Sequence, residues 1–371
     1  MNAERPTLKD EPRGCVYNPA GYAGATFVDT KEEERSMKYR PLGGSGIQAS
    51  VVGFGAWAVG GWMWGGTDEQ ESVRALRAAI DRGMNLIDTA PVYGFGRSER
   101  IVAAAIEGRR EDVVLATKCG LVWCMERGEH FFDSSEEAVG VGTATRHVYR
   151  YLGPESIREE VEQSLRRLRT DYIDLYQTHW QDRTTDIDDT MNELMTLRQE
   201  GKIRAIGVSN VTVEQLEKYR LRGPVDTDQE RYSMLDRKPE ENLLPYGEAN
   251  GVGFLAYSPL ARGLLTGKMQ PGTAFQEGDQ RRGMPRFAPE NIARAQPLLE
   301  ALEPVALEHR LTLAQLAIGW AIAQPGCTHA LVGARTPQQA VENAAAGRSL
   351  LPEETVAEVN AILAAHAGGI A

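Results

Sequence analysis

Short apolar runs alternate with longer amphipathic segments along most of the chain. The apolar runs are four to six residues long, and most show little alternation of apolar and polar positions. Strands buried on both faces of a parallel sheet have this character. The pattern predicts eight strands, at residues 51–55, 85–88, 113–118, 173–177, 205–209, 225–229, 253–257 and 330–333.

The segments between these runs have helical periodicity and recognisable start and stop signals. A capping box of Thr67 and Gln70 is expected to open the first helix, which stops at Gly83, and Thr212 is expected to cap a later one. The signals predict seven helices, at residues 67–82, 154–168, 188–200, 212–220, 312–323, 336–346 and 352–366.

Eight strands that are each followed by a crossover predict an α/β fold, a (β/α)8 TIM barrel. The alternative is an open doubly wound sheet, which usually has fewer strands. Residues 37–371 are predicted to form this single domain, and residues 1–36 a poorly structured extension. Two long irregular segments, 121–153 and 258–291, follow the third and seventh strands, so both are expected at the end of a barrel that carries active sites.

Composition narrows the class of partner. The 371 residues include 41 Lys and Arg against 52 Asp and Glu, a formal net charge of −11 that argues against nucleic acid or an anionic membrane as the main partner. The chain has no apolar stretch of the length of a membrane span or signal peptide, and its cysteines form no Cys-x-x-Cys motif. The histidines lack helical zinc-site spacing. We expect a reduced, cytoplasmic protein without a metal centre.

Four polar residues follow successive predicted strands and should converge at one end of a barrel: Asp88, Tyr93, Lys118 and His179. Taken singly, each has an ordinary structural role, such as a solvated lysine or an aspartate in a turn. Together they suit proton donation to a carbonyl oxygen. A nearby ammonium is expected to lower the pKa of the Tyr93 phenol, Asp88 to hold Lys118, and His179 to orient the carbonyl.

These residues lie within ordered motifs that extend over nearly the whole predicted domain. The chain resembles the aldo-keto reductase superfamily, in particular bacterial oxidoreductases with a short C-terminal loop. The motifs that carry the resemblance are residues 85–94, 116–118, 171–180, 207–210, 257–260 and 332–336.

The resemblance implies NAD(P)H-dependent carbonyl reduction on a barrel without a metal ion. In the matching positions, Tyr93 is the general acid, Lys118 tunes it, Asp88 pairs with Lys118, and His179 orients the substrate. The positions that would hold the cofactor run from the nicotinamide to the adenosine end: Ser209, Asn210, Gln229, Tyr257, Ser258, Leu260, Arg262, Gly263, Gly333, Ala334, Arg335, Gln339, Glu342 and Asn343.

Arg335 bears on the choice of cofactor. It directly precedes a predicted helix N-terminus, which favours anions, and its guanidinium suits a 2′-phosphate. The sequence therefore predicts NADPH in preference to NADH. The alternative is that Arg335 is a solvated loop residue.

The substrate site is expected to have an apolar mouth, because tryptophans occupy the predicted strand-end loops. Trp57, Trp123 and Trp180 are its predicted residues. The polar segment 121–153, with Arg127, His130, His147 and Arg150, is expected either to shape a polar substrate site or to act as a mobile lid.

The leading functional hypothesis is an enzyme that reduces the carbonyl group of a small aldehyde, ketone or sugar. One alternative is an NADP-dependent sugar or polyol dehydrogenase that works mainly in oxidation. Another is a nicotinamide-sensing regulatory subunit with slow turnover. The sequence leaves the oligomeric state open.

Overall fold

The computed structural model describes residues 36–135 and 145–370. The strands in these ranges are β1 (Tyr39–Pro41), β2 (Gln48–Ser50), β3 (Val52–Gly55), β4 (Leu86–Asp88), β5 (Val114–Cys119), β6 (Leu121–Val122), β7 (Glu129–Ser135), β8 (Thr145–Arg150), β9 (Ile173–Thr178), β10 (Ile203–Ser209), β11 (Thr227–Arg231), β12 (Gly253–Tyr257) and β13 (Cys327–Val332). The α-helices are α1 (Glu69–Asp81), α2 (Arg97–Ile106), α3 (Pro154–Leu168), α4 (Ile187–Gln199), α5 (Val213–Arg222), α6 (Leu243–Asn250), α7 (Pro289–Glu308), α8 (Leu313–Ala323), α9 (Pro337–Ala345) and α10 (Glu353–His366). Short 3-10 helices lie at Gly43–Ser45, Ala58–Gly60, Arg110–Asp112, Lys238–Glu241, Ala261–Thr266, Gln280–Gly283 and Pro285–Phe287.

Eight parallel strands close into a barrel in the order β3, β4, β5, β9, β10, β11, β12 and β13, with β13 paired back to β3. This closure confirms the predicted (β/α)8 barrel and excludes the open doubly wound sheet. The register sets Lys118 on β5 beside Gln177 on β9, and Ser209 on β10 beside Gln229 on β11. Polar residues of neighbouring strands therefore reach the same level of the barrel.

The barrel interior has an apolar lower half and a polar upper half. The apolar cluster includes Leu86, Leu175 and Leu255, which project from three of the strands. The antiparallel hairpin of β1 and β2 adds Leu42 and Ala49 to this cluster, both fully buried. The pattern of apolar runs did not predict this hairpin. It closes the end of the barrel opposite the predicted site.

All seven predicted helices are present, with each end within two residues of its expected position. The cap of the first was predicted incorrectly, because the side chain of Asp68, rather than that of Thr67, accepts the hydrogen bond from the amide of Glu71. The sequence missed α2, α6 and α7. The longest of these, α7, contains Pro297 and Pro304, which normally break helices and hid it from the pattern.

The prediction that residues 121–153 are irregular was wrong for much of the segment. Its described part forms an antiparallel sheet in the order β6, β8, β7. One face of this sheet is covered, since Val148 is fully buried in a cluster with Trp62. The opposite face carries exposed polar side chains, and this polarity concealed the strands.

The predicted N-terminal extension lies outside the described residues, except for Ser36. Among the residues that the structure describes, no helix is both long enough and apolar enough to cross a lipid bilayer.

Leu42 offers a test of the hairpin. We expect Leu42→Ala to lower the free energy of unfolding by about 2–5 kcal/mol, because the substitution leaves a cavity in a fully buried cluster. Urea denaturation measures the loss. Leu221→Ala is the matched control, since Leu221 is 83% exposed, and its effect should stay within about 0.5 kcal/mol. Equal effects of the two substitutions would show that the hairpin is not part of the folded core.

Candidate active site

A cavity of about 580 Å³ lies at the C-terminal ends of the barrel strands. Its size is typical of sites for small molecules. Three of the four predicted catalytic residues, Asp88, Tyr93 and His179, line it, and Lys118 lies buried beneath it. All the predicted cofactor positions line it as well: Ser209, Asn210, Gln229, Tyr257, Ser258, Leu260, Arg262, Gly263, Gly333, Ala334, Arg335, Gln339, Glu342 and Asn343.

The floor of the cavity is built on a buried ion pair. The Nζ of Lys118 lies 2.7 Å and 2.9 Å from the two carboxylate oxygens of Asp88 and 2.9 Å from the carbonyl oxygen of Thr89. An ammonium has three donors, and each has an acceptor here. Lys118 is fully buried, and this burial lowers the pKa of Lys118, while the charge of Asp88 acts in the opposite direction.

Two glutamines complete the surroundings of Asp88. The Nε2 of Gln229 donates to Oδ2 of Asp88 at 3.0 Å, and Nε2 of Gln177 donates to the same oxygen at 3.2 Å. The carboxylate therefore accepts hydrogen bonds from β5, β9 and β11, and it ties four neighbouring or opposed strands together. Its place between an ammonium and two amides holds it in one position.

Tyr93 and His179 meet above this floor. Their rings are edge to face with centroids 5.6 Å apart, and Nζ of Lys118 lies 5.1 Å from the centroid of the Tyr93 ring. Tyr93 follows β4 in a tight turn, in which its amide donates to the carbonyl oxygen of Ala90 at 3.1 Å. Part of its ring remains open to the cavity.

Burial governs the ionisation of both side chains. It raises the pKa of Tyr93 well above 10, and the charges of Asp88 and Tyr257 act in the same direction. This direction is opposite to the lowering expected from the sequence, because the ammonium of Lys118 is compensated by Asp88. Burial, with a smaller effect of Lys118, lowers the pKa of His179 well below 6.5. A protonated phenol and a neutral imidazole thus face the cavity at neutral pH.

The residues predicted for the nicotinamide form one hydrogen-bonded group beside His179. The amide nitrogen of Asn210 donates to the carbonyl oxygen of His179 at 2.9 Å, and the hydroxyl of Tyr257 donates to the amide oxygen of Asn210 at 2.9 Å. The hydroxyl of Ser209 donates to the carbonyl oxygen of Gln229 at 2.6 Å. These contacts connect β10, β11 and β12, so the group has a fixed arrangement.

Cationic side chains surround the rest of the cavity in a chain of net negative charge. Arg262 is on the loop after β12, where the backbone of Ala261, Arg262 and Gly263 has positive φ. Burial, followed by the charge of Arg231, lowers the pKa of Arg262 to about 10. Two guanidinium groups in one cavity repel each other, so an anion there would stabilise both.

The predicted adenosine end lies at the N-terminus of α9. The side chain of Thr336 caps this helix by accepting from the amide of Gln339. The guanidinium of Arg335 donates to the carbonyl oxygens of Gly66, at 3.1 Å, and Trp64, at 3.4 Å. Arg335 is therefore held against the loop after β3 rather than extended into solvent, at a helix terminus that favours anions.

Aromatic rings form the opposite wall. The cavity is lined by Trp57, Trp62, Trp180, Phe131 and Phe132. The predicted Trp57 stacks on Tyr93 with ring centroids 6.1 Å apart, and the predicted Trp180 lies 5.2 Å from Phe131.

Trp123 does not line this cavity, although it was predicted with Trp57 and Trp180. It packs edge-on against Phe95, with ring centroids 5.3 Å apart, and borders a separate small groove beside α3. Of the polar residues noted in the same segment, Arg150 lies over the ring of Phe131, whereas Arg127 pairs with Glu155 at the surface.

Sequence reasoning missed several residues of the site. Arg231 lies two positions after the predicted Gln229 on β11, and Gln177 lies near the end of β9, two positions before the predicted His179. That alternation was a usable signal. Phe131 and Phe132 lie on a strand that the sequence did not reveal, so their place in the wall had no signal.

Comparison with known proteins identifies relatives that match the part of the chain containing the barrel and the cavity. The model of the "Aldo/keto reductase family" matches residues 51–364. The chain is 42% identical over 306 residues to "Aldo-keto reductase YhdN" of Bacillus subtilis, covering 82% of this chain and 86% of that protein. It is also 42% identical over 316 residues to "NADH-specific methylglyoxal reductase" of Escherichia coli, covering 84% and 93%. Among solved structures, a glycerol dehydrogenase of Gluconobacter oxydans matches with a TM-score of 0.77 and 40% identity, over 90% of this chain and 96% of that one.

The ion pair beneath the cavity can be tested by a double-mutant cycle. We expect Asp88→Asn to lower the free energy of unfolding by about 3–5 kcal/mol, because it leaves the buried ammonium of Lys118 without its carboxylate. Asp88→Asn combined with Lys118→Met should cost less than the sum of the single changes, and urea denaturation measures each. Asp188→Asn and Arg222→Met, at an exposed ion pair, form the control cycle, with an expected coupling below about 1 kcal/mol. Additive losses at Asp88 and Lys118 would contradict the account.

Proposed function

This chain belongs to the aldo/keto reductase family, and we propose that it reduces the carbonyl group of a small aldehyde, ketone or sugar with NADPH, using Tyr93 as the general acid. The chain is an oxidoreductase that acts on carbonyl or alcohol groups, so a purely regulatory role is not proposed. One observation carries the proposal: the Tyr93 phenol and the His179 imidazole meet edge to face at one cavity, above the buried ion pair of Lys118 and Asp88.

The lining of the cavity supports a nicotinamide dinucleotide as the cofactor. A hydrogen-bonding group at Ser209, Asn210 and Gln229 would hold the carboxamide, and Tyr257 would stack on the ring. Arg262 and Arg231 would bind the pyrophosphate, whose charge relieves their mutual repulsion. Arg335 at the start of α9 would bind the 2′-phosphate of NADPH. The bound cofactor supplies a hydride.

The protein side chains would complete the reduction. His179 is neutral, so its ring can donate one hydrogen bond to the carbonyl oxygen and fix the orientation of the substrate. As hydride adds to the carbonyl carbon, the electron pair of the carbonyl bond moves to oxygen, and Tyr93 gives this oxygen its proton. The Tyr93 phenolate would then regain a proton from water.

The shape of the cavity favours a small carbonyl compound. Trp57, Trp180 and Phe131 would enclose its apolar part, while Tyr93 and His179 would bind its oxygen. Enclosure of this kind excludes water and strengthens the polar interactions at the base of the cavity. The names of two similar proteins, a methylglyoxal reductase and a glycerol dehydrogenase, are consistent with substrates of three carbons.

Oxidation of a sugar or polyol with NADP+ is the second candidate. The similar structure named as a glycerol dehydrogenase favours it. The same groups would serve both directions, with Tyr93 as the acid in reduction and its phenolate as the base in oxidation. The physiological concentrations of the two cofactor forms and of the substrate would set the direction.

Removal of the Tyr93 hydroxyl tests the general acid. We expect Tyr93→Phe to lower kcat by about 10²–10⁴-fold, because the alkoxide formed by hydride addition loses its proton donor. The dissociation constant for NADPH, measured by fluorescence, should change by less than about threefold, since the ring remains in place. Tyr246→Phe, in α6 and away from the cavity, is the matched control. Near-normal turnover of Tyr93→Phe would overturn the assignment.

Arg335 tests the choice of cofactor. A screen of aldehydes and sugars should give a higher kcat/KM with NADPH than with NADH. We expect Arg335→Gln to raise KM for NADPH by at least about tenfold, because a charged hydrogen bond to phosphate contributes about 1.5–3 kcal/mol. KM for NADH should hardly change. Arg282→Gln, an exposed arginine on the loop after β12, should leave both values unchanged. Equal efficiency of the wild type with both cofactors would refute the role of Arg335.

A further inference from the structure

Three side chains outside the cavity form a compact group of metal-ligand type. His130 and Asp133 lie on β7, and His147 lies on the paired strand β8. The Nε2 of His130 is 2.7 Å, and the Nδ1 of His147 is 2.8 Å, from the same Oδ1 of Asp133. The three ligand atoms lie within 4.8 Å of one another. About half of each side chain is exposed, so an ion could enter without moving the fold.

A β-bulge creates this group. His130 and Asp133 are three positions apart, and in a regular strand they would point to opposite faces. The pairing with β8 shifts between His130 and Phe132, so Phe131 is an extra residue. The bulge therefore turns His130 to the face of Asp133 and His147, and it leaves Phe131 and Phe132 together on the face of the cavity.

The chemistry of the ligands selects the ion. Two imidazole nitrogens and one carboxylate oxygen suit zinc and related divalent transition metals, whereas calcium and magnesium prefer oxygen alone. We propose that His130, Asp133 and His147 bind one such ion, with solvent completing the coordination. Metal–ligand distances of about 2.0–2.2 Å require only small rotations of side chains that already converge on one oxygen.

The side chains around Asp133 are consistent with this role. Both imidazoles contact the same carboxylate oxygen of Asp133, so the three side chains are already oriented toward one point. The ring of Tyr149 packs edge-on against His130 with centroids 5.4 Å apart, and it limits the orientation of that imidazole. The histidine spacing did not predict the group, because its members come from two strands rather than from one helix.

A bound ion would fasten β7 to β8 directly behind the wall of the cavity. Asp133 and His147 are opposite each other in the strand register, and His130 is opposite Tyr149, two pairs further along the ladder. Phe131 and Phe132, which line the cavity, lie between these ligands along β7. The ion would therefore order the aromatic wall without contacting the substrate or the cofactor. This role is independent of the proposed reductase activity.

Zinc titration of the full-length, metal-stripped chain without an affinity tag tests the proposal. A Cys15→Ser, Cys124→Ser background removes two thiols as competing ligands. Calorimetry should give one Zn²⁺ per chain, and Co²⁺ should give the visible absorption bands of a tetrahedral site. His130→Asn combined with His147→Asn should weaken Zn²⁺ binding at least about tenfold, by comparison with the 10–100-fold losses that follow removal of indirect partners. His366→Asn, an exposed histidine at the end of α10, should leave it unchanged.

Hydrogen exchange tests whether the bound ion fastens β7 to β8. At free Zn²⁺ ten times the dissociation constant, amide exchange through local opening of β7 and β8 should slow about tenfold in the parent chain and not in the double variant. Equal zinc affinity of parent and double variant, or equal loss in His366→Asn, would overturn the site. Zn²⁺ binding without slower amide exchange in β7 and β8 would overturn the proposal that the ion fastens these two strands. These outcomes do not depend on turnover, so a failure here is distinct from a failure of the proposed enzyme function.

Discussion

The buried contact between Lys118 and Asp88 is the constraint on which the site depends. A fully buried ammonium is costly unless its charge and its three donors are satisfied, and Asp88 and Thr89 satisfy them. The same carboxylate accepts from Gln177 and Gln229, so one charge fixes side chains from several strands. Because Asp88 compensates the ammonium, burial controls the pKa of Tyr93, and the phenol keeps its proton. The acid that the proposed reaction needs follows from this compensation.

The barrel separates stability from chemistry along its axis. The lower half is apolar and closed by Leu42 and Ala49 from the hairpin, whereas the upper half holds the polar residues. The loops after the strands make one side of the cavity cationic and the other side aromatic. Arginines such as Arg262 and Arg335 surround the region predicted for the cofactor phosphates, and aromatic rings surround the region beside Tyr93. A chain of net charge −11 thus keeps a local positive field for an anionic ligand.

The barrel could be predicted from the sequence because its buried strands are apolar runs. Its helices also begin at capping residues such as Thr212 and Thr312. Motifs at the strand ends predicted many of the residues that line the cavity. Helix α7 could not be predicted, because its internal prolines resemble helix breaks. The sheet of β6, β8 and β7 could not be predicted either, because the polar residues on one of its faces resemble those of a loop. Trp123 shows the remaining difficulty: a tryptophan after a strand packs inward or lines a cavity according to tertiary contacts that the pattern does not contain.

The ionisation of Tyr93 tests the central claim most directly. In protein labelled with ¹³C at the ζ position of tyrosine, the Tyr93 resonance is identified by its loss in Tyr93→Phe and followed by NMR as the pH rises. The account predicts that this resonance keeps the chemical shift of a protonated phenol beyond pH 10, the ordinary pKa of tyrosine, because burial outweighs the compensated charge of Lys118. A change to the phenolate shift below pH 10 would contradict it, since Lys118 would then act on Tyr93 as an uncompensated cation.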